Sequence, residues 1–154
     1  MSREPRVSRP RFRDYGIHED SEGMLAWAWA AERLEASRNY WISTSAADGR
    51  PHAMPVWGVW LDGALAFGTN PASRKGRNLA RDSRVAVHLE SGDDVVILEG
   101  DVEPAEPDER IAGAYEAKYD FRPELGPGWY TFRPRRAYAW LERDYPKTAT
   151  RFDW

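Results

Sequence analysis

Three runs of alternating polarity, Tyr40–Ser45, residues 51–60 and residues 64–69, are separated only by short segments carrying Asp48-Gly49 and Asp62-Gly63. Alternation at a period of two marks strands with one buried face, and an Asp-Gly pair supplies the positive φ angles that a tight hairpin needs. The spacing predicts an antiparallel meander. A parallel crossover needs a dozen residues or more, so a βαβ sheet is excluded for this part of the chain. No G-x-G-x-x-G follows any of these strands, which removes the dinucleotide-binding version of that fold.

Helical patterns flank and interrupt the meander. Met24, Trp27, Ala31 and Leu34 recur at helical spacing after Ser21 and Glu22, predicting a helix over residues 22–37 with Trp29 off the apolar stripe and facing another subunit. A second helix is expected over residues 73–82 and a third from Pro107-Asp108-Glu109 to Tyr119. Strands resume over residues 84–90 and Asp94–Pro104, where Gly100 suggests a bulge. Residues 121–128 read as a loop, residues 129–132 and 136–141 as a strand or strand pair, and residues 145–154 as a short polar tail. About six antiparallel strands with helices outside them give an α+β, mainly β fold: a closed or nearly closed six-stranded barrel with peripheral helices.

The first 20 residues differ from the rest. Residues 1–13 hold five arginines against Glu4, a local +4 within a chain of net charge −3, which leaves −7 on the remainder. The expected organisation is a flexible basic arm over residues 1–20 and one domain over residues 21–154. An acidic body argues against nucleic acid as the partner. The longest apolar run, residues 24–31, is too short to cross a membrane, so no membrane partner is expected. With no cysteine, disulfides and thiolate metal sites are excluded, and a cytoplasmic setting is expected. His18, His52 and His88 lie far apart at no metal-binding spacing, and Asp93-Asp94 sits where a turn wants aspartate, so no metal and no acid–base pair is assigned.

One segment does carry chemistry. Residues 67–79 read F-G-T-N-P-A-S-R-K-G-R-N-L, the end of a strand, a turn at Asn70-Pro71 and a helix beginning at Ser73. A helix start offers unpaired N–H groups and the positive end of the dipole, and here Arg74 and Lys75 stand beside them. The plainer reading is a capped basic helix facing solvent. A phosphate is the guest that would use every part of it. Eight Trp, seven Tyr and five Phe provide the flat surfaces that a planar heterocycle would lie against. The strand H-A-M-P-V-W over residues 52–57 is the natural wall, since Pro55 removes one N–H from any ladder and makes the strand irregular or an edge.

The order D-G-R-P-H-A-M-P-V-W, then F-G-T-N-P-A-S-R-K-G-R-N-L, then V-A-V-H-L-E and V-V-I-L-E-G resembles the pyridoxamine 5′-phosphate oxidase-like family of flavin-binding split barrels. The resemblance implies a homodimer of six-stranded split barrels with the cofactor at the subunit interface. It implies that Ser73, Arg74 and Lys75 hold the phosphate, with Thr69 and Asn78 near that end, and that Met54, Pro55, Val56 and Trp57 line the ring. The family's oxidases of vitamin B6 phosphate carry a basic-glutamine pair where this chain has Asp94 and Val95, and an R-L-H-x-R ending where this chain reads T-A-T-R-F-D-W. Both departures speak against pyridoxamine phosphate as substrate. The wording P-V-W-G-V-W is closer to the deazaflavin branch, which uses coenzyme F420; Arg74, Lys75, Arg77 and Arg81 could follow its acidic tail. The implied function is an F420H2-dependent reductase delivering a hydride to a small conjugated acceptor. An FMN-dependent oxidoreductase of the same family type and a non-catalytic F420 or FMN carrier are the alternatives.

Overall fold

The computed structural model describes residues 3–154. In chain order the elements are β1 (Arg6–Ser8), α1 (Trp27–Ala36), β2 (Tyr40–Ser45), β3 (Pro51–Val56), β4 (Gly58–Leu61) and β5 (Ala64–Gly68). Then come α2 (Arg74–Arg81), β6 (Arg84–His88), β7 (Asp94–Pro104), α3 (Glu109–Tyr119), β8 (Trp129–Leu141), α4 (Tyr145–Thr148) and β9 (Thr150–Asp153). The fold is the α+β split barrel the sequence implies, with nine strands among the described residues.

The meander forms where Asp-Gly pairs allow it. Asp62 and Gly63 take φ values of 52° and 75°, which carry β4 straight back into β5. All pairings are antiparallel: β2 with β3 and β6, β6 with β7, β7 with β8, β8 with β5, and β5 with β4. The expected strand over residues 51–60 is two strands separated by Trp57. Because β3 bonds only β2 and β4 bonds only β5, the ring of six passes through the chain at Trp57 and is not closed by a continuous ladder. Inside it, Tyr40, Ile42, Leu65, Phe67, Val87, Leu98 and Phe132 are fully buried. The alternation of β2, with Tyr40, Ile42 and Thr44 inward, is what aims this set at one core.

Other expectations shift for identifiable reasons. Residues 129–141 form one strand, and its Pro134 is accommodated because it lies opposite Gly100 at a register shift, with Arg135 as the extra residue. A Cβ on Gly100 would sit 2.1 Å from the Arg133 carbonyl oxygen, so the close approach requires glycine. α1 starts five residues later than its pattern suggested: the Leu25 N–H is taken by Thr150 Oγ1 at 2.8 Å, and Gly23 has φ of 84°. Trp29 lies half-buried against the core with the Arg33 guanidinium 3.7 Å from its ring centroid.

The segment expected as a short polar tail is α4 and β9, and β9 pairs with both β8 and β1. The expected flexible arm, of which Met1 and Ser2 lie outside the described residues, is thus tied to the sheet. Arg9 ties it a second time, donating to the carbonyls of Asp20, Glu22, Lys147 and Ala149.

Candidate functional site

Ser73 caps α2 with extended backbone, its hydroxyl accepting the Gly76 N–H at 3.0 Å and its carbonyl accepting the Arg77 N–H at 2.9 Å. The turn before it is set by Asn70, whose side chain accepts the Ala72 N–H and whose carbonyl accepts the Ser73 N–H, both at 2.9 Å. Asn70-Pro71 folds directly onto the helix: a Cβ on Gly76 would meet the Asn70 and Pro71 carbonyl oxygens at 2.5 and 2.6 Å. The turn leaves the N–H groups of Arg74 and Lys75 with no protein acceptor among the described residues.

Lys75 is half-buried beside those donors. Burial pushes its pKa down, and its ammonium forms no ion pair among the described residues. Arg74 is exposed. Thr69 joins the same corner, its hydroxyl oxygen 3.4 Å from that of Ser73 and its N–H donating to the Gly128 carbonyl at 2.8 Å. Thr69, Ser73, Arg74 and Lys75 are therefore brought together at one helix end.

Asn78 is placed differently. It is buried one turn later and its amide donates to Thr44 Oγ1 at 3.0 Å, so it locks α2 onto β2 and is already engaged. Arg77 donates to the Ala72 carbonyl and Arg81 to the Ser45 carbonyl. The suggested cationic track therefore divides into two residues held by backbone oxygens and two that are not.

The ring-lining candidates divide as well. Met54, Pro55 and Trp57 are exposed, Met54 and Trp57 at 44% and 40%, while Val56 belongs to the barrel core. β2 joins the two halves: it pairs Ile42 with Met54 in register and holds α2 through Thr44. Edge placement explains how Pro55 is tolerated, since β3 is bonded on one side only.

Sequence reasoning placed α3 but assigned none of its residues to the site. Tyr119 stacks on Trp57, with ring centroids 4.4 Å apart and planes 4° from parallel. Its hydroxyl accepts the Gly58 N–H at 2.9 Å and donates to the Arg38 carbonyl at 2.7 Å. Lys118 Nζ donates to the Gly58 carbonyl at 2.8 Å and to the Tyr40 hydroxyl at 3.0 Å. Burial first, then the Arg38 charge, pushes Lys118 down to about 8, and burial pushes Tyr40 and Tyr119 up. The signal was available as Tyr115, Lys118 and Tyr119 at helical i, i+3, i+4 spacing.

Among the described residues no group of three metal-ligating side chains converges, and His88 is stacked on Trp41 with its Nδ1 2.8 Å from the Leu89 carbonyl. Asp94 pairs with Arg33 and Arg143. An open depression of about 550 Å³ lined by Arg84, Glu99, Asp101, Arg135 and Arg136 lies elsewhere. Its arginines are paired with Asp82, Asp101 and Asp153, which makes it a dip between surface ion pairs.

Residues 28–142 match the family model described as pyridoxamine 5′-phosphate oxidase. No curated protein matches the chain in sequence. Among solved structures, a conserved hypothetical protein from Mycobacterium tuberculosis is 26% identical, with 82% of this chain and 91% of that one covered at a TM-score of 0.67. An F420 reductase is similar at 21% identity, 69% and 93% coverage and a TM-score of 0.53. A pyridoxamine 5′-phosphate oxidase-related, FMN-binding protein from Nostoc punctiforme is similar at 16% identity, 78% and 84% coverage and a TM-score of 0.56. These likenesses concern the barrel, and with a family match over most of its length the chain belongs to the pyridoxamine 5′-phosphate oxidase family.

Proposed function

We propose that the protein is a homodimeric oxidoreductase using a phosphate-bearing flavin-type cofactor, F420 or FMN, and that as an F420H2-dependent reductase it reduces a small conjugated acceptor. One observation carries the reading. Lys75, a half-buried ammonium with no protein anion beside it, adjoins two unfilled N–H donors at the start of α2. A cation left in that state is costly unless an anion completes it, and a phosphate accepts from all three donors at once. Such a cofactor, when bound, supplies the hydride chemistry.

The chain's own residues bind, orient and exclude water. Ser73 and Gly76 shape the phosphate corner; Met54, Pro55 and Trp57 offer exposed surface for the ring; Val56 contributes its backbone and packs in the core. The relatives named above include an F420 reductase and an FMN-binding protein, which supports both cofactors. For the longer, more acidic F420, Arg74 stands free and Arg77 and Arg81 keep further N–H groups beyond those given to carbonyls. A second subunit fits the open side of β3, where residues 53–55 are exposed. A cytoplasmic setting accords with the cysteine-free chain; no helix among the described residues is long and apolar enough to cross a membrane.

The test is a fluorescence titration with FMN and with F420, followed by anaerobic turnover of the reduced cofactor with enones and quinones. Saturable binding of one cofactor and its oxidation by an acceptor is the expected result. Binding without turnover turns the enzyme into a carrier, and binding of neither overturns the reading.

A further inference from the structure

We infer that Tyr119 is a positioning residue: from α3, outside the barrel, it holds Trp57 at the break between β3 and β4 as a rigid wall whose other face receives the planar ring. The inference rests on the cofactor reading above.

The break needs an explanation, because a strand interrupted in the middle of a barrel loses ladder bonds. Gly58 recovers them from α3. Its N–H is accepted by the Tyr119 hydroxyl at 2.9 Å, and its carbonyl accepts from Lys118 Nζ at 2.8 Å. Only glycine fits there, since a Cβ would meet Leu65 Cδ1 at 2.8 Å and the Ala66 carbonyl oxygen at 2.9 Å. The Tyr119 hydroxyl also donates to the Arg38 carbonyl, and the Tyr40 hydroxyl, which accepts from Lys118, donates to the Leu34 carbonyl. Every polar group in the chain of contacts has a partner, and the chain fastens the break to α3 and to the end of α1.

The same tyrosine sets the ring of Trp57. The two rings are parallel at 4.4 Å. The Arg38 guanidinium carbon is 5.3 Å from both centroids, close enough for its charge to act on both rings. Tyr115 is nearer Tyr119, at 4.7 Å, than Trp57, at 6.5 Å, so it lies on the Tyr119 side. With Tyr119 on one face and Arg38 near the pair, Trp57 still keeps 40% of its surface exposed, and that exposed surface is what a ligand ring would meet. An exposed indole ordinarily samples several rotamers; one stacked on a ring whose hydroxyl is bonded to the adjacent backbone does not. A ligand ring stacking there meets a surface already ordered.

The test uses the full-length chain carrying 5-fluorotryptophan, with the Trp57 fluorine signal assigned by its loss in Trp57→Phe. In Tyr119→Leu that signal is expected to move and broaden. In Tyr119→Phe, which keeps the stacked ring and loses the hydroxyl bonded to the backbone, it is expected to move and broaden less than in Tyr119→Leu. Affinities are then measured for FMN against riboflavin, and for F420 against its phosphate-free deazaflavin core. Tyr119→Leu is expected to weaken all ring-bearing ligands roughly three- to tenfold while each phosphate-to-phosphate-free ratio stays as in wild type. A changed ratio would mean general disruption reaching α2, and unchanged affinities or an unmoved fluorine signal would mean that Tyr119 does not position the wall; each overturns the inference alone. A wild-type protein that binds neither coenzyme overturns it together with the cofactor reading.

Discussion

Tyr119 lies parallel to Trp57 at 4.4 Å although 61 residues separate its hydroxyl from the Gly58 N–H that it accepts. The contact makes a helix outside the barrel responsible for the geometry of a strand within it. It also explains why β3 and β4 are distinct: the backbone between them answers to α3 and not to a neighbouring strand.

Replacing both Arg74 and Lys75 with alanine should weaken binding of the phosphate-bearing cofactor while the barrel stays folded. Charge-assisted contacts to a phosphate are worth about 1.5–3 kcal/mol each, so the pair together should cost at least tenfold in affinity. Titration checks the affinity, and a thermal melt within about 2 °C of wild type checks the fold.

Gly76→Ala should separate stability from binding. The added Cβ meets two carbonyl oxygens at 2.5 and 2.6 Å, so the Asn70-Pro71 turn must move, costing about 1–3 kcal/mol and displacing the free N–H donors. Gly113→Ala is the control, because a Cβ there meets nothing within 4 Å on a helix interior. It should stabilise by about 0.5–1 kcal/mol and leave binding alone. Urea unfolding of both variants reads the difference.

Stability should rise with pH between 8 and 10. Lys118 has its folded-state pKa near 8 against an ordinary 10.5, so across this window the unfolded chain holds a proton that the folded chain has released. The cost of the buried ammonium is therefore fully present below pH 8 and relieved as pH rises. Above about 10 the raised pKa values of Tyr40 and Tyr119 act in the opposite sense, because the folded state then keeps protons that the unfolded state loses. Melts of wild type against Lys118→Met across pH 7–10 should show the slope in the first and a flatter line in the second.

Arg9→Ala should release the first 20 residues. The guanidinium donates to four carbonyls from two parts of the chain, residues 20–22 and 147–149, and hydrogen bonds to a charged group contribute about 1.5–3 kcal/mol. The expected result is faster hydrogen exchange and proteolysis over residues 3–26 with the barrel still protected. Protection unchanged there would show that β1 on β9 holds the segment by itself.

The parts of the fold that were legible were those written in local chemistry. β2 occupies the residues its alternation marks and β7 the stretch read as a long strand, the Asp62-Gly63 turn has the positive φ values the pair suggests, and Ser73 caps α2. Half of the candidate site was legible for the same reason: the corner of Thr69, Ser73, Arg74 and Lys75 is one contiguous stretch. Asn78 and Val56 show where this stops. Asn78 sits one turn beyond the cations and reads as part of the same site, yet Thr44 lies opposite it and takes its amide. Val56 follows three exposed residues and reads as part of the same wall, yet it lies opposite the buried Tyr40 in the β2–β3 ladder and packs in the core.

By itself the sequence determined the strand meander, the capped cationic helix and the family, because turns, caps and periodicity depend on residues within a few positions of one another. Only the tertiary structure decided that residues 51–60 are two strands, that the tail and the first residues add β9 and β1 to the sheet, and that Lys118 and Tyr119 stand behind Trp57. Those outcomes depend on which groups 60 or more positions apart come to satisfy each other's hydrogen bonds, and no local pattern carries that information.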